Sequence, residues 1–348
     1  GGMFLTWGKA PMHFLDGPMT LLNSLKATCL SLALVGAANV GLADPLPSWQ
    51  GASKDRIIAF VEAVSEVGGD DYVTPADRIA VFDNDGTLWA EQPMYFQLFF
   101  ALDRVAKIGA ENPSKLSSDV LKAAAAGDMD GVLAGGKEGL IEILALSHAN
   151  QSLDDFSADV AAWVSETKHP TTGLGYDEMT YQPMVELLRY LRDEEFKTYI
   201  VSGGGIDFMR VFAEDVYGIP PEQTIGSSLT STYEVVDGVP KIIKKDTLFF
   251  NDDKAGKPVA INHHIGKRPI MAVGNSDGDF EMLEYTTEGE GARLGVYIHH
   301  TDGEREWAYD REGHIGVLNR GLDEAEDRGW VLVDMKNEWT RIFTGEAE

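Results

Sequence analysis

The sequence predicts an α/β protein, a parallel sheet with helices on both faces and an inserted helical domain. Three observations predict it. Short apolar runs at 79–82, 198–201, 270–273 and 294–298 each lead into a polar or glycine-rich loop. Helical patterns separate the runs after Gly175, and strands that alternate with helices pair in parallel through crossovers. Between 92 and 175 the pattern is helical, with no strand alternation, so this block reads as an insertion. The chain divides accordingly: 1–43 is a leader region, 44–91 with 176–348 is a Rossmann-like core, and 92–175 is a helical cap.

The elements follow in order. After Pro45, Pro47 and Gly51 a helix begins near Ser53, with Ile57, Val61 and Val64 on one face. The strand at 79–82 then runs into Asp83. Asn112-Pro113 opens a helix by the N-cap and N1 preferences, and the alanine run 123–126 supports another. Ser152 with Asp155 three residues on forms a capping box. A helix at 184–192 leads into strand 198–201, then Ser202 and three glycines, then a helix over 206–217. A short strand sits near 224–227. Runs at 230–236 and 239–243 flank Asp237-Gly238, a hairpin signal. Strand 270–273, an acidic loop, a helix, and strands at 294–298 and 330–333 complete the chain. No internal repeat is present.

The 348 residues are 44% hydrophobic and 24% charged, ordinary for a chain with a sizeable core. The net charge of −27 is the unusual property. Such a surface repels nucleic acid and anionic lipid, so no polyanionic partner is implied. A phosphate site on it needs a local cation, which a bound metal supplies best. Cys29 is the single cysteine, which excludes an internal disulfide and a multi-cysteine zinc site.

The surroundings of Cys29 read as a secretory signal. Lys26 precedes an apolar run that ends in Gly41-Leu42-Ala43, too short and wrongly flanked for a stable membrane span. The other reading is a buried N-terminal helix. Lys26 and Thr28 stand where a lipoprotein signal wants an apolar and a small residue. Cleavage after Ala43 removes Lys9, Lys26 and Asp16, so the net charge goes from −27 to −28 and the acidity belongs to the exported chain.

In an open parallel sheet, ligands bind beyond the carboxyl ends of the strands. Four polar clusters fall there: Asp83-Asn84-Asp85-Gly86-Thr87, Ser202-Gly203-Gly204-Gly205, a lysine near Lys257, and Gly274 to Asp279. Two carboxylates two residues apart suit a nucleophile and an acid. Glycines let backbone N–H groups approach phosphate oxygens. A lysine offsets the charge of a phosphorylated carboxylate, and the last cluster adds oxygen donors for a hard metal. Each cluster has a plainer reading. DNDG is also a turn sequence, SGGG a loop, and GNSDGD an acidic surface loop. Three such loops in this order after three strands are harder to explain by chance.

At this point FDNDGTLW resembles the first motif of the haloacid dehalogenase superfamily, VSGGG the second and AVGNSDGDFEML the fourth, spanning about 78 to 285. The insertion between the first two motifs resembles the cap of the phosphoserine phosphatase-like branch. The resemblance implies Asp83 as the phosphoryl-accepting nucleophile and Asp85 as the acid, then base. It implies that Thr87, Ser202 and the Gly203 amide hold phosphoryl oxygens. Lys257 is then the third-motif lysine, with Lys254 as the other candidate. The implied cofactor is Mg²⁺, held by Asp83, Asp85 and Asn275, with Asp279 orienting the ligands. Many relatives carry an aspartate where this chain has Asn275, so one anionic ligand is missing and weak Mg²⁺ binding is expected; Asp277 is the alternative ligand.

The second aspartate favours ester hydrolysis, because alkoxide departure gains from an acid while halide departure does not. The expected function is an exported, Mg²⁺-dependent phosphatase of small phosphate monoesters. A phosphotransferase or mutase would use the same nucleophile, and an exported binding protein with a vestigial site is the reading outside enzymes. His263-His264 and His299-His300 read as solvated loop or strand-end residues, since adjacent histidines rarely hold one ion well. Trp89, Tyr95 and Phe96 read as core or cap packing, with the substrate mouth as the other reading. The stretch 299–310, HHTDGEREWAYD, has no assigned role.

Overall fold

The structure, a computed structural model, describes residues 43–346. The expected signal region, with Lys26 and Cys29, lies outside the described residues. Helix α1 (Gly51–Ser65) buries Ile57, Val61 and Val64, the stripe its spacing predicts. Strand β1 (Ile79–Phe82) follows. Five helices come next: α2 (Phe96–Glu111), α3 (Asp119–Ala126), α4 (Met129–Ala134), α5 (Gly136–His148) and, after the two-residue strand β2 (Gln151–Ser152), α6 (Leu153–Glu166). Helix α7 (Gln182–Asp193) leads into β3 (Lys197–Gly205), then the short α8 (Ile206–Met209) and α9 (Ala213–Tyr217). Strands β4 (Thr224–Val236) and β5 (Val239–Phe250) form the hairpin. The remainder runs α10 (Gly256–His264), β6 (Met271–Gly274), α11 (Phe280–Thr287), β7 (Leu294–Thr301), β8 (Ala308–Tyr309), α12 (Arg320–Glu324), β9 (Val331–Asp334) and α13 (Met335–Glu338).

The nine strands of the described residues form one sheet in the order β2-β5-β4-β3-β1-β6-β7-β8, with β9 also on β7. Its centre is parallel: β1 lies between β3 and β6, β7 flanks β6, and β9 pairs parallel to β7. Alternate residues of the central strands enter opposite layers. Ala80, Phe82, Met271 and Val273 join one apolar cluster, and Ile79, Val81 and Ala272 join the other. The four-residue run of β1 is therefore buried on both faces, which is why it reads as continuous apolar sequence.

The sheet is more mixed than a purely parallel one. β4 starts parallel to β3 and continues, through register slips near Ser228 to Ser231, as one arm of an antiparallel hairpin with β5. The sequence reads these as two separate short strands; they are one strand of 13 residues. At the hairpin tip Asp237 and Gly238 have φ +52° and +79°, the left-handed pair of a type I′ turn.

The cap helices pack around their own cluster, with Leu102, Val105, Val120, Leu121 and Ile143 buried in it. Ser152 caps α6 as its spacing predicts, its Oγ accepting from the Asp155 N–H at 3.1 Å. Three local expectations change. Asn112-Pro113 starts only a three-residue 3₁₀ turn, with Asn112 Oδ1 accepting from Ser114 N–H, and α3 is capped instead by Ser118. The block read as strandless contains β2, which pairs with Lys244 and Ile243 of β5. The helix expected over 206–217 breaks at 210–212, where Phe212 takes φ −120° and stacks on Trp89 at 4.4 Å. Aromatic packing there overrides helical propensity. No helix among the described residues is long and apolar enough to cross a membrane.

Candidate active site

A cavity of about 560 Å³ opens where the carboxyl ends of β1 and β3 meet the cap. Asp83, Asp85, Ser202, Gly203, Lys257 and Asp279 line its floor, and Tyr95, Leu98, Leu144, Phe156 and Phe208 its walls.

The floor begins with β1. Its ladder continues one residue past the strand, Asp83 N–H donating to the Val273 carbonyl at 2.9 Å. The chain then turns sharply, with the Asn84 carbonyl accepting from the amides of Thr87 and Leu88. Gly86 has φ +76°, and a Cβ there would lie 2.1 Å from Asn275 Nδ2, so only glycine fits. The turn puts the Asp83 and Asp85 side chains on the cavity side. Asp85 Oδ1 accepts from the Trp89 indole N–H at 2.7 Å. Burial raises the Asp85 carboxyl to about 6, with Trp89 and Lys257 pulling the other way.

Lys257 sits on the first turn of α10, one residue before Pro258, which suits a helix start. It is 2% exposed, and its Nζ donates to Asp83 Oδ1 at 2.8 Å, Asp279 Oδ1 at 2.5 Å and the Val201 carbonyl at 3.0 Å. Burial opposes its charge, but Asp279, Asp83 and Asp252 outweigh that and hold the ammonium form. Lys254, the other candidate, is exposed and does not line the cavity. Burial and Asp279 raise Asp83, against the pull of Lys257. One lysine thus faces several buried carboxyls, so the floor is short of positive charge.

Ser202 and Gly203 line the cavity from β3. The β3–β4 register slips between Ser202 and Gly205, which turns the two intervening glycines out of the ladder. Ser202 Oγ accepts from the Gly204 N–H at 3.1 Å, and Gly205 N–H donates across to Gln97 Oε1 of the cap at 2.7 Å.

The fourth cluster divides into three roles. Asp279 Oδ2 accepts from the Asn275 and Ser276 amides at 2.9 and 3.0 Å, so with Oδ1 on Lys257 it fixes both the loop and the lysine. Asp277 points the other way and accepts from the backbone amides of Asn319, Arg320 and Gly321 at the start of α12. As an alternative metal ligand it is excluded by that position. Asn275 is 1% exposed and does not line the cavity; its Oδ1 accepts from Thr87 Oγ1 at 3.2 Å. Thr87, expected to hold a phosphoryl oxygen, is correspondingly buried beneath the loop and outside the cavity.

Sequence reasoning missed several residues. Glu91 lines the cavity and is buried. Its Oε1 accepts from Asn275 Nδ2 at 2.7 Å and from the Tyr309 hydroxyl at 2.8 Å. Asp252 is fully buried with both carboxylate oxygens unpartnered, and burial raises it to about 7 against the pull of Lys257. His148, in the cavity wall, accepts from Gln97 at Nε2 and meets Ser147 Oγ at Nδ1. Burial lowers it to about 3, so it is neutral. His300 departs from the solvated role expected for it: it is 3% exposed, and its Nε2–H donates to the Gly86 carbonyl at 2.8 Å. His263 and His264 are exposed as expected, but on the last turn of α10 and not in a loop or at a strand end. Tyr95 lines the cavity, while Trp89 and Phe96 are packed inside. A lone Glu or His in an unpatterned stretch carries no local signal; only the density of polar residues over 299–310 marks it.

The chain was compared with known proteins. It matches the family model of haloacid dehalogenase-like hydrolases over residues 80–284. A conserved protein of unknown function from Anaerococcus prevotii DSM 20548 superposes with a TM-score of 0.51 at 18% identity, over 75% of this chain and 89% of that one. A protein of unknown function from Bordetella pertussis Tohama I gives 0.46 at 16% identity, over 74% and 98%. A phosphoserine phosphohydrolase-like protein from Francisella tularensis subsp. tularensis SCHU S4 gives 0.37 at 18% identity, over 72% and 98%. No curated protein matches the chain. The first superposition shows a shared fold. The family model spans more than half of the sequence and runs from β1 to α11, the stretch that builds the cavity floor, and the chain therefore belongs to the haloacid dehalogenase-like hydrolases.

Proposed function

We propose that this chain is an exported phosphatase of small phosphate monoesters, of the phosphoserine phosphatase-like branch, working through an aspartyl-phosphate at Asp83 with Mg²⁺. The observation that carries this reading is the pairing of Asp83 with buried Lys257, and of Asp85 with Trp89, on the floor of one capped cavity. An Asp83 carboxylate oxygen attacks phosphorus, and the bond from phosphorus to the alcohol oxygen breaks. Asp85 gives its proton to the departing alkoxide, for which a carboxyl raised to about 6 is suited. Asp85 then takes a proton from the water that attacks the phosphoryl group, restoring Asp83. The Ser202 hydroxyl and Gly203 amide line the place where the phosphoryl oxygens would lie.

The donors present fit a hard cation. They are oxygens: the Asp83 carboxylate and the Asp85 carbonyl, with the Asn275 amide oxygen held behind them on Thr87 and Asp279 ordering the loop. Among the described residues no three acidic, histidine or cysteine side chains converge to hold an ion by themselves, so carbonyl oxygens must contribute. When bound, Mg²⁺ supplies the positive charge that Lys257 alone does not provide.

A panel of phosphate esters that includes p-nitrophenyl phosphate tests the activity. Phosphate release that requires Mg²⁺ is expected, in the absence of any acceptor alcohol. Transfer to an added alcohol in place of water would make the protein a phosphotransferase, and a folded protein inert toward the whole panel would be a binding protein. Export is tested separately. Protein from the secreted or periplasmic fraction should begin at Asp44, and full-length chain confined to the cytosol would overturn export.

A further inference from the structure

The site holds a carboxylate that the phosphatase mechanism leaves unused. Asn275 occupies the position where an anionic ligand is missing, and its Nδ2 donates to Glu91 Oε1 at 2.7 Å. Glu91 is 2% exposed, and it reaches the cavity shared with Asp83 and Asp85 where Asn275 does not. Its Oε1 takes two hydrogen bonds, from Asn275 and Tyr309, while Oε2 has no hydrogen-bond partner among the described residues. Burial beside Asp85 and Asp83 disfavours the ionised form of Glu91, so a cation is what would hold its negative charge there. Lys257 is committed to Asp83 and Asp279.

The surroundings are built to hold Glu91 in place. A Cβ on Gly86 would lie 2.5 Å from Oε1 and one on Gly316 2.1 Å from it, and the φ of +76° and +64° at these positions favours glycine at both. Tyr309 of β8 stacks on His300 of β7 with ring centroids 4.3 Å apart. His300 in turn holds the Gly86 carbonyl and pairs with Glu306, whose other oxygen accepts from the Tyr181 hydroxyl at 2.8 Å. The stretch 299–310 therefore ties the turn after β1 to Glu91.

We propose that Glu91 supplies the negative charge of the divalent-cation site that Asn275 lacks, and that the β7–β8 hairpin positions it through Tyr309 and His300. This rests on the Mg²⁺ reading above. The expectation of weak metal binding from Asn275 alone is then replaced by one of ordinary affinity.

Mn²⁺ binding in the absence of substrate, measured by electron paramagnetic resonance and calorimetry, separates the possibilities. Wild type should bind one Mn²⁺, and Glu91→Gln should bind it about 10–100-fold more weakly. Adding Asn275→Asp to Glu91→Gln should return the affinity to within about threefold, because the charge is replaced at the adjacent position. Tyr309→Phe keeps the carboxylate and the ring stack and should weaken Mn²⁺ by a few-fold, so the test survives if Glu91→Gln fails to fold. Asp277→Asn should bind as wild type does. Unchanged Mn²⁺ affinity in Glu91→Gln, or in Tyr309→Phe, overturns the proposal, and loss of turnover alone would place Glu91 against the substrate. A double variant that stays weak would show that the two positions are not equivalent and would also overturn it. Wild type that binds no Mn²⁺ would sink the Mg²⁺ reading itself.

Discussion

Asp83→Asn should lower kcat toward p-nitrophenyl phosphate by about four to six orders of magnitude, as loss of a covalent nucleophile does elsewhere. The fold should survive. Asparagine keeps the size of the side chain, and its amide oxygen can still accept from Lys257 Nζ, which also retains Asp279 and the Val201 carbonyl. One negative charge leaves a floor where burial and Asp279 already oppose ionisation of Asp83, so thermal stability should hold or rise slightly. Kinetics and a melting curve on the same preparation check both parts. Wild type should bind beryllium fluoride at Asp83 as an acyl-phosphate mimic, and the Asn variant should not. Near-normal turnover by the variant would defeat the mechanism.

The second large effect separates the two lysines. Lys257→Ala should reduce kcat by about 10²–10³-fold, the loss typical of a charge that stabilises the transition state. It should also destabilise the protein by about 3–5 kcal/mol, because removing one member of a buried ionic group strands the others. Lys257 is the cation held between Asp83 and Asp279. Lys254→Ala should leave both kcat and the melting temperature close to wild type, since its side chain is exposed. A larger kcat loss in Lys254→Ala would transfer the role to that residue.

The parts of the fold that were legible in the sequence are those whose causes are local. The run 79–82 is buried on both sheet faces and is apolar throughout. Asp237-Gly238 adopts the two positive φ angles that its composition favours. Ser152 caps α6 with a hydrogen bond to a residue three positions on. Lys257 was separable from Lys254 because Pro258 marks a helix start. Missed features depend on partners far away in sequence. Glu91 is placed by Tyr309, 218 residues downstream, and His300 meets Gly86 across 214. The turn of Asp277 away from the site is caused by the amides of 319–321, and nothing near Asp277 announces it. Thr87 is in the expected motif yet bonds to Asn275, so motif membership located the loop without fixing which way each side chain points.

The β4–β5 arm has a mechanical consequence. Its base is continuous with the sheet, since β4 starts at Thr224 beside Ile200 on β3 and Gly226 lies beside Ser202. Farther along, β5 is hydrogen-bonded to β2 at the root of α6 in the cap, and Lys244 of β5 reaches Asp207 at the start of α8. β5 ends at Phe250, and the chain returns at once to Asn251, Asp253 and Lys257, which line the cavity. The arm thus joins the cap, through the middle of β5, to the loop that carries Lys257. Any displacement of the cap from the floor must therefore either break the β2–β5 pairing or carry the arm, and the Lys257 loop at its foot, along with it.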